Sequence, residues 1–416
     1  MFTFINQAYH TVRGATPTPF MAFFAFVWLV WSAKALLARR YRPSAADPGE
    51  RTSTVIVPVY NESEELFSAC LASISAESPT ELIAVIDGGD SGLASIASRY
   101  CDRVLELAKS GKRAAIAAGL AAADPRTDVV VLVDSDTVWM PGLLNELLRP
   151  FADPRVGGVT PRQAILEPHT APSRRLADWI EDVRYHLTVP AQSVFGQVGC
   201  LAGRTIAYRR TAFEPAVERL VRQRVLGVPV EVGDDRVLTN ELLRHGWRTV
   251  YQSSALVLTD APSDWPGFWK QQLRWGRSSQ RETLLSLRWL WRRPVALMCF
   301  ASDIFIPFAL FALVALSVGH VVHGAGAYHH SSPVAAEILL AYPGMLTSIG
   351  VRQISHFRRT RSDLVWLPLF VLQLTLVMVP IRIVAFATML HQGWGTRIIT
   401  VRGGMREAVC AESGHG

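Results

Sequence analysis

Val130-Val131-Leu132-Val133-Asp134-Ser135-Asp136-Thr137 decides the fold. Four β-favouring apolar residues run without polar alternation into two carboxylates separated by one residue. Such a run predicts a strand buried on both faces, as in a covered, mostly parallel sheet. Ligands bind at the carboxyl ends of such strands, and a carboxylate pair there can hold a divalent cation against a diphosphate. For this pair alone, a solvated acidic turn is the alternative.

The neighbours of this stretch repeat its pattern. Thr54-Val55-Ile56-Val57-Pro58-Val59 is a second buried-strand pattern and ends at Tyr60-Asn61-Glu62. Leu82-Ile83-Ala84-Val85-Ile86 is a third and ends at Asp87-Gly88-Gly89-Asp90. Glu64 to Ser75 reads as a helix, and Gly111-Lys112-Arg113 opens an alanine-rich helix to about Ala123. Strands alternating with helices predict a parallel, Rossmann-like sheet whose carboxyl edge collects Asp87, Lys112, Asp134 and Asp136. Asp87 taken alone is equally a turn-former before Gly88.

Further along, Val198-Gly199-Cys200-Leu201-Ala202-Gly203-Arg204 has glycines placed for close backbone approach to a ligand. Gly233-Asp234-Asp235-Arg236 opens a helix with two acids in its first turn. Helix-terminus stabilisation explains one of them. Two adjacent carboxylates disfavour each other's ionised form, which suits one of them to proton abstraction.

Outside this soluble α/β region (51–264) the texture is membrane-like. Half of the 416 residues are hydrophobic and the net charge is +7. With Arg clustered beside apolar segments, that balance suits a membrane surface or a phosphorylated substrate better than nucleic acid. Phe20 to Leu37 is long enough to span a bilayer, and Arg39, Arg40 and Arg42 keep its end cytoplasmic. A linker follows from Pro43 to Glu50. Residues 265–293 interleave Trp and Arg, predicting helices that lie in the membrane interface. Three apolar segments follow, Val295–Val318, Pro333–Val351 and Leu364–Leu390. The second is interrupted at Pro343-Gly344 and the third broken by Pro380 and Arg382. Asp303 inside a span is a functional candidate unless an Arg from another helix pairs with it. His320, His323, His329 and His330 fit no fixed metal spacing and read as a polar loop. Five scattered cysteines indicate a reducing compartment.

The ordered set Val57-Pro58-Val59-Tyr60-Asn61-Glu62, Gly111-Lys112-Arg113, Asp134-Ser135-Asp136-Thr137, Gly233-Asp234-Asp235-Arg236-Val237-Leu238-Thr239-Asn240, Gln271-Gln272-Leu273-Arg274-Trp275 and Trp394-Gly395-Thr396-Arg397 resembles membrane-integrated processive glycosyltransferases of family 2. Bacterial hyaluronan and chitin-oligosaccharide synthases are examples. The resemblance implies a GT-A fold and a cytosolic catalytic domain in a multi-pass protein of the cell membrane. It implies a nucleotide sugar donor, a UDP-sugar, and inverting transfer to a growing glycan, with a lipid acceptor of one sugar as the alternative and an inactive scaffold as a remote one. Pro58, Tyr60, Glu62, Asp87 and Lys112 would line the nucleotide pocket, with Asp134 near the donor sugar. Asp136 would bind Mg²⁺ or Mn²⁺, and Asp235, beside Asp234, would be the general base. Arg274 would steady the leaving diphosphate. Gly199, Cys200, Gly203, Gln271 and Trp275 would shape the acceptor end. Trp394 and Arg397 would close over the donor from a gating segment (393–416). Such synthases usually show S-G-P-L where this chain has Cys200 to Arg204. For Trp394 to lie inside, one segment of 294–392 must not cross, 333–351 or the part after Pro380.

Overall fold

The computed structural model describes residues 19–324, 333–391, 397–402 and 405–410. The chain forms two compact units, Leu37–Phe300 with Ala385–Gly416, and Met1–Leu36 with Ala301–Val384.

The first unit is built on an eight-stranded sheet of order β3-β2-β1-β4-β7-β6-β10-β5. Its strands are β1 (Ser53–Val59), β2 (Glu81–Asp87), β3 (Arg103–Leu107), β4 (Val129–Val133), β5 (Thr137–Trp139), β6 (Val156–Ile165), β7 (Thr205–Arg209) and β10 (Arg248–Thr259). A separate hairpin joins β8 (Arg224–Val225) to β9 (Val228–Pro229). Every residue of β1, β2 and β4 is buried. Successive side chains of β1 enter opposite cores. Val55, Val57 and Val59 pack with the helices Glu64–Ser75 and Leu143–Leu148. Ile56 packs with Lys112–Ala122, Arg210–Arg222 and Asp234–Arg244. This double coverage is why the strands lack polar alternation.

The sheet is GT-A-like and mostly parallel, with β3, β2, β1 and β4 all parallel and β10 parallel to β6. It departs from a wholly parallel sheet at β7, which lies antiparallel between β4 and β6, and at the antiparallel edge strand β5. The reversal matters for the site. β7 begins where β4 ends, and the Asp134 N–H donates to the Arg204 carbonyl at 3.0 Å. The 199–204 loop is thereby delivered to the edge that carries Asp134.

The segment after Arg40 is fastened to the sheet rather than hanging loose. Tyr41 Oη donates to the Tyr251 carbonyl at 2.9 Å, and Ser44 exchanges two bonds with Gln252. Residues 265–290 form one 26-residue helix, Trp265–Leu290. Besides Phe268 and Leu290 it buries many polar residues: Gln272, Ser278, Gln280, Arg281, Glu282, Thr283 and Ser286 turn inward, while Leu287 is exposed.

Among the described residues three helical segments are long and apolar enough to cross a membrane: Met21–Arg40, Pro294–Ala315 and Arg361–Ala387. Pro380 does not break the last one. A π-helical turn, Gln373–Met378, precedes it and accommodates the missing N–H, and the helix resumes over Val379–Ala387. Helix Pro333–Arg352 likewise runs through Pro343. In the second unit, Lys34 Nζ reaches Ser302 Oγ at 3.4 Å, and Arg382 interacts electrostatically with Asp303. Asp303 therefore has the arginine partner that a structural role calls for. The histidine loop and Trp394 lie largely or wholly outside the described residues.

Candidate active site

The parallel strands place their polar ends side by side. Ser135, between the two acids, donates to Glu62 Oε2 at 3.0 Å and ties the end of β4 to the end of β1. A cleft of about 360 Å³ beside this edge is lined by Tyr60, Gly88, Gly89, Glu106, Leu107, Ala108 and Lys109. Asp87 turns away from that lining. Its two oxygens accept from Ser110 N–H at 2.6 Å and Gly111 N–H at 2.9 Å, which fixes the turn that opens the Lys112 helix.

Lys112 Nζ is bonded to Asp134 Oδ1. Burial alone would lower this ammonium, but Asp134, Asp234 and Asp235 override it and raise it, so it stays charged. Asp136 is pushed up to about 7, first by burial and then by Asp134 and Glu62, against the pull of Arg204 and Lys112. Acid is therefore in excess where β4 ends. Among the described residues no three His, Cys, Asp or Glu side chains group as metal ligands. A cation here would rest on Asp136 and complete its shell with ligand oxygens and water.

The opposite wall is the start of helix Asp234–Arg244. Gly233 caps it with φ +92°, and a Cβ there would stand 1.8 Å from Ser278 Oγ. Only glycine permits both the backbone conformation and the approach of helix Trp265–Leu290. Asp235 Oδ1 accepts from the Arg236 N–H at 2.8 Å, and Oδ2 lies 3.6 Å from Cys200 Sγ. Burial and Asp235 push the Cys200 thiol up to about 11, so it is protonated and donates. Gly203 stands between the two walls: a Cβ on it would be 3.6 Å from both Asp134 Oδ2 and Asp235 Cβ. Pro58, Lys112, Asp134, Gly203, Asp234 and Asp235 share one small cavity there. Arg274 feels Asp134, Asp235, Asp234 and Asp136, although burial, the largest influence, lowers it.

Asp234 and Asp235 have different partners. It forms a buried 2.8 Å pair with Arg113 Nε. Arg113 also donates to the Leu220 carbonyl at 2.9 Å and to Gln223 Oε1 at 3.0 Å. Gln223 in turn donates to Glu282 Oε1 at 3.0 Å, and Arg281 bonds Glu282 and the Val232 carbonyl. One buried network thus joins the Lys112 helix, the Asp235 helix and the Trp265–Leu290 helix. Sequence reasoning gave no role to Arg113, Gln223, Arg281 or Glu282. Two signals pointed to it: a second cation at a helix N-terminus, where positive charge is disfavoured, and Glu282, the lone acid in a basic helix.

In the 199–204 loop, Gly199 N–H donates to Gln192 Oε1 at 3.1 Å, and the centroid of the Trp275 ring lies 5.5 Å from the Arg204 guanidinium carbon. Gln271 is half-buried on the same helix as Arg274 and Trp275. Arg397 begins a strand, Arg397–Arg402, paired with Met405–Cys410; its side chain, like Trp394, lies outside the described residues.

The family model "Glycosyltransferase like family 2" matches residues 49–278. The chain is 28% identical over 371 residues to a hyaluronan synthase of Streptococcus pyogenes serotype M3, covering 86% of each chain. It is 34% identical over 246 residues to an N-acetylglucosaminyltransferase of Azorhizobium caulinodans, covering 56% of this chain and 61% of that one. An N-acetylglucosaminyltransferase of Sinorhizobium fredii is 36% identical over 253 residues, covering 57% and 59%. Since the family model covers more than half of the sequence, and the strand-end acids it spans converge on one site, the chain belongs to the family 2-like glycosyltransferases.

Proposed function

We propose that this protein is a processive, inverting glycosyltransferase that builds a glycan from a UDP-sugar and exports it across the cell membrane. The observation that carries the reading is the pair of walls around Gly203, with Asp134 on one side and Asp235 on the other. A donor sugar held between them has a carboxylate on the face opposite its leaving group. The acceptor hydroxyl oxygen attacks the anomeric carbon, the bond from that carbon to the diphosphate oxygen breaks, and the hydroxyl proton passes to Asp235. The electron pair leaves with the nucleoside diphosphate, whose charge Lys112 and Arg274 offset. A single displacement inverts the anomeric carbon.

Mg²⁺ or Mn²⁺ fits this site because the acids Asp134, Asp136 and Glu62 exceed the local positive charge, and Asp136 holds a proton until about pH 7 in its absence. Bound at Asp136, such an ion would neutralise the diphosphate and favour its departure. The cleft lined by Tyr60 and Lys109 suits the nucleoside. Basic residues Arg39, Arg40 and Arg42 after the first apolar helix support a cytosolic catalytic unit. With that orientation, lipid surrounds the apolar helices and the growing glycan is the acceptor.

The test is incubation of the full chain in lipid nanodiscs with a panel of nucleotide sugars and either cation, followed by product sizing. A polymer that lengthens with time is expected. A glycolipid carrying one sugar would replace this reading with single transfer to lipid, and no turnover of any donor would leave an inactive scaffold.

A further inference from the structure

Arg204 closes the Cys200–Arg204 stretch, and it is buried. Its Nη1 donates to Glu181 Oε1 at 2.8 Å and to Gln163 Oε1 at 3.1 Å. Gln163 closes the arrangement by donating to the Ala202 carbonyl at 3.2 Å. The other face of the guanidinium meets the Trp275 ring at 5.5 Å. Glu181 is shared: its Oε2 lies 3.8 Å from Arg184 Nη1. Arg184 reaches back to the Cys200 carbonyl at 3.5 Å, and Cys200 Sγ faces Asp235 at 3.6 Å. Trp275, Arg204, Glu181, Arg184, Cys200 and Asp235 therefore form a continuous series of contacts around the acceptor end. Glu181 closes helix Pro172–Val183, and a π-helical turn, Arg184–Thr188, begins at the next arginine. Such turns re-aim side chains and recur at functional sites. Burying Arg204 against Glu181 desolvates two charges, which is unfavourable without a compensating role.

We propose that Arg204, braced by Glu181, is the positioning residue that holds the Trp275 indole as the platform for the acceptor sugar, and so sets acceptor affinity. This rests on the glycosyltransferase reading above. The guanidinium lies over one side of the half-buried ring, and on the proposal the apolar face of a saccharide stacks on the other. Glu181, by holding Arg184 as well, ties the ring's position to the loop that faces the base. The platform and Asp235 then keep a constant separation as successive acceptor ends arrive.

The test uses the full chain in nanodiscs with a saturating donor and a series of oligosaccharide acceptors. In Arg204→Gln the acceptor KM should rise about tenfold while kcat changes less than about threefold, as for a lost interaction common to ground and transition states. Arg204→Lys, which keeps a cation over the ring, should recover most of the loss. In a Trp275→Leu background the Arg204→Gln substitution should have no further effect on acceptor KM, because its route of action is gone. Glu181→Gln should raise acceptor KM in the same direction by a smaller factor, and it stands in if Arg204→Gln does not fold. An unchanged acceptor KM in either variant, or an additive effect in the Trp275→Leu background, overturns the inference while leaving the enzyme's function intact. A wild-type chain that transfers to no saccharide acceptor would instead remove the functional reading itself.

Discussion

The two walls of the site are held by different forces. The donor wall is placed by backbone. Pro58, Asp134 and Asp136 sit on or just past strands whose register with their neighbours is fixed by ladder hydrogen bonds and buried aliphatic side chains. The base wall is placed by side chains. Asp235 opens a helix whose approach depends on Gly233, on the Arg113–Asp234 pair, and on the Gln223–Glu282–Arg281 group. A strand end tolerates distant change because its position is determined many times over. A helix start held by a few buried charges does not, since removing one partner strands the other in low dielectric. The base wall is therefore the part that substitutions remote from the chemistry should disable.

The largest effect should come from the proposed base. Asp235→Asn preserves size and the bond from Arg236 N–H but cannot take a proton, so kcat should fall about 10³-fold or more. Donor affinity should be unchanged, because the donor wall does not depend on Asp235. Isothermal titration with the nucleoside diphosphate alongside turnover separates the two. A parallel loss of nucleotide binding would break the division into independent walls.

Next comes the remote support. Arg113→Met leaves Asp234 buried without its partner and should destabilise the unit by about 3–5 kcal/mol. Activity at low temperature should fall about 10²-fold through displacement of Asp235. The double variant Arg113→Met/Asp234→Leu, which removes both charges, should regain most of the stability. Thermal unfolding of the full chain checks this, and an unrecovered double variant would show that the pair acts otherwise. Gly233→Ala tests the same wall through the backbone. A Cβ 1.8 Å from Ser278 Oγ at φ +92° should cost about 2–5 kcal/mol, read from the thermal unfolding of the full chain.

The same contrast explains how much of the molecule was legible beforehand. Val129–Val133 and Ser53–Val59 announced themselves, because burial on both faces removes polar alternation from the sequence. Asp235 was legible because a paired acid at a helix start exceeds what the helix needs. Asp234, beside it, pairs with Arg113, which lies 121 residues earlier, and no local pattern encodes a pairing of that range. β7 was missed as a strand, since an antiparallel insertion carries no signal beyond a short apolar run. In helix Trp265–Leu290 the tryptophans and arginines point to a membrane surface but do not reveal its buried polar residues, because Arg281, Glu282 and Ser286 meet partners on other elements and on their own backbone.

The smallest effect sharpens the donor wall. Without a cation, Asp136 ionises only near pH 7, whereas an unfolded aspartate ionises near 4. Between those values the folded chain binds the extra proton, so stability should decline as pH rises toward 7 and level off above it. A divalent cation takes the proton's place and should flatten that decline. The measurement is the melting temperature of the full chain at pH 5, 6, 7 and 8, with and without Mg²⁺ or Mn²⁺. Asp136→Asn serves as the reference for every other titrating group. A cation-dependent difference of about 2–4 °C that vanishes in Asp136→Asn is expected. The same slope in both proteins would mean that the excess acid at the end of β4 is neutralised by Arg204 and Lys112 alone, and that the donor wall, like the base wall, is governed by its side-chain pairs.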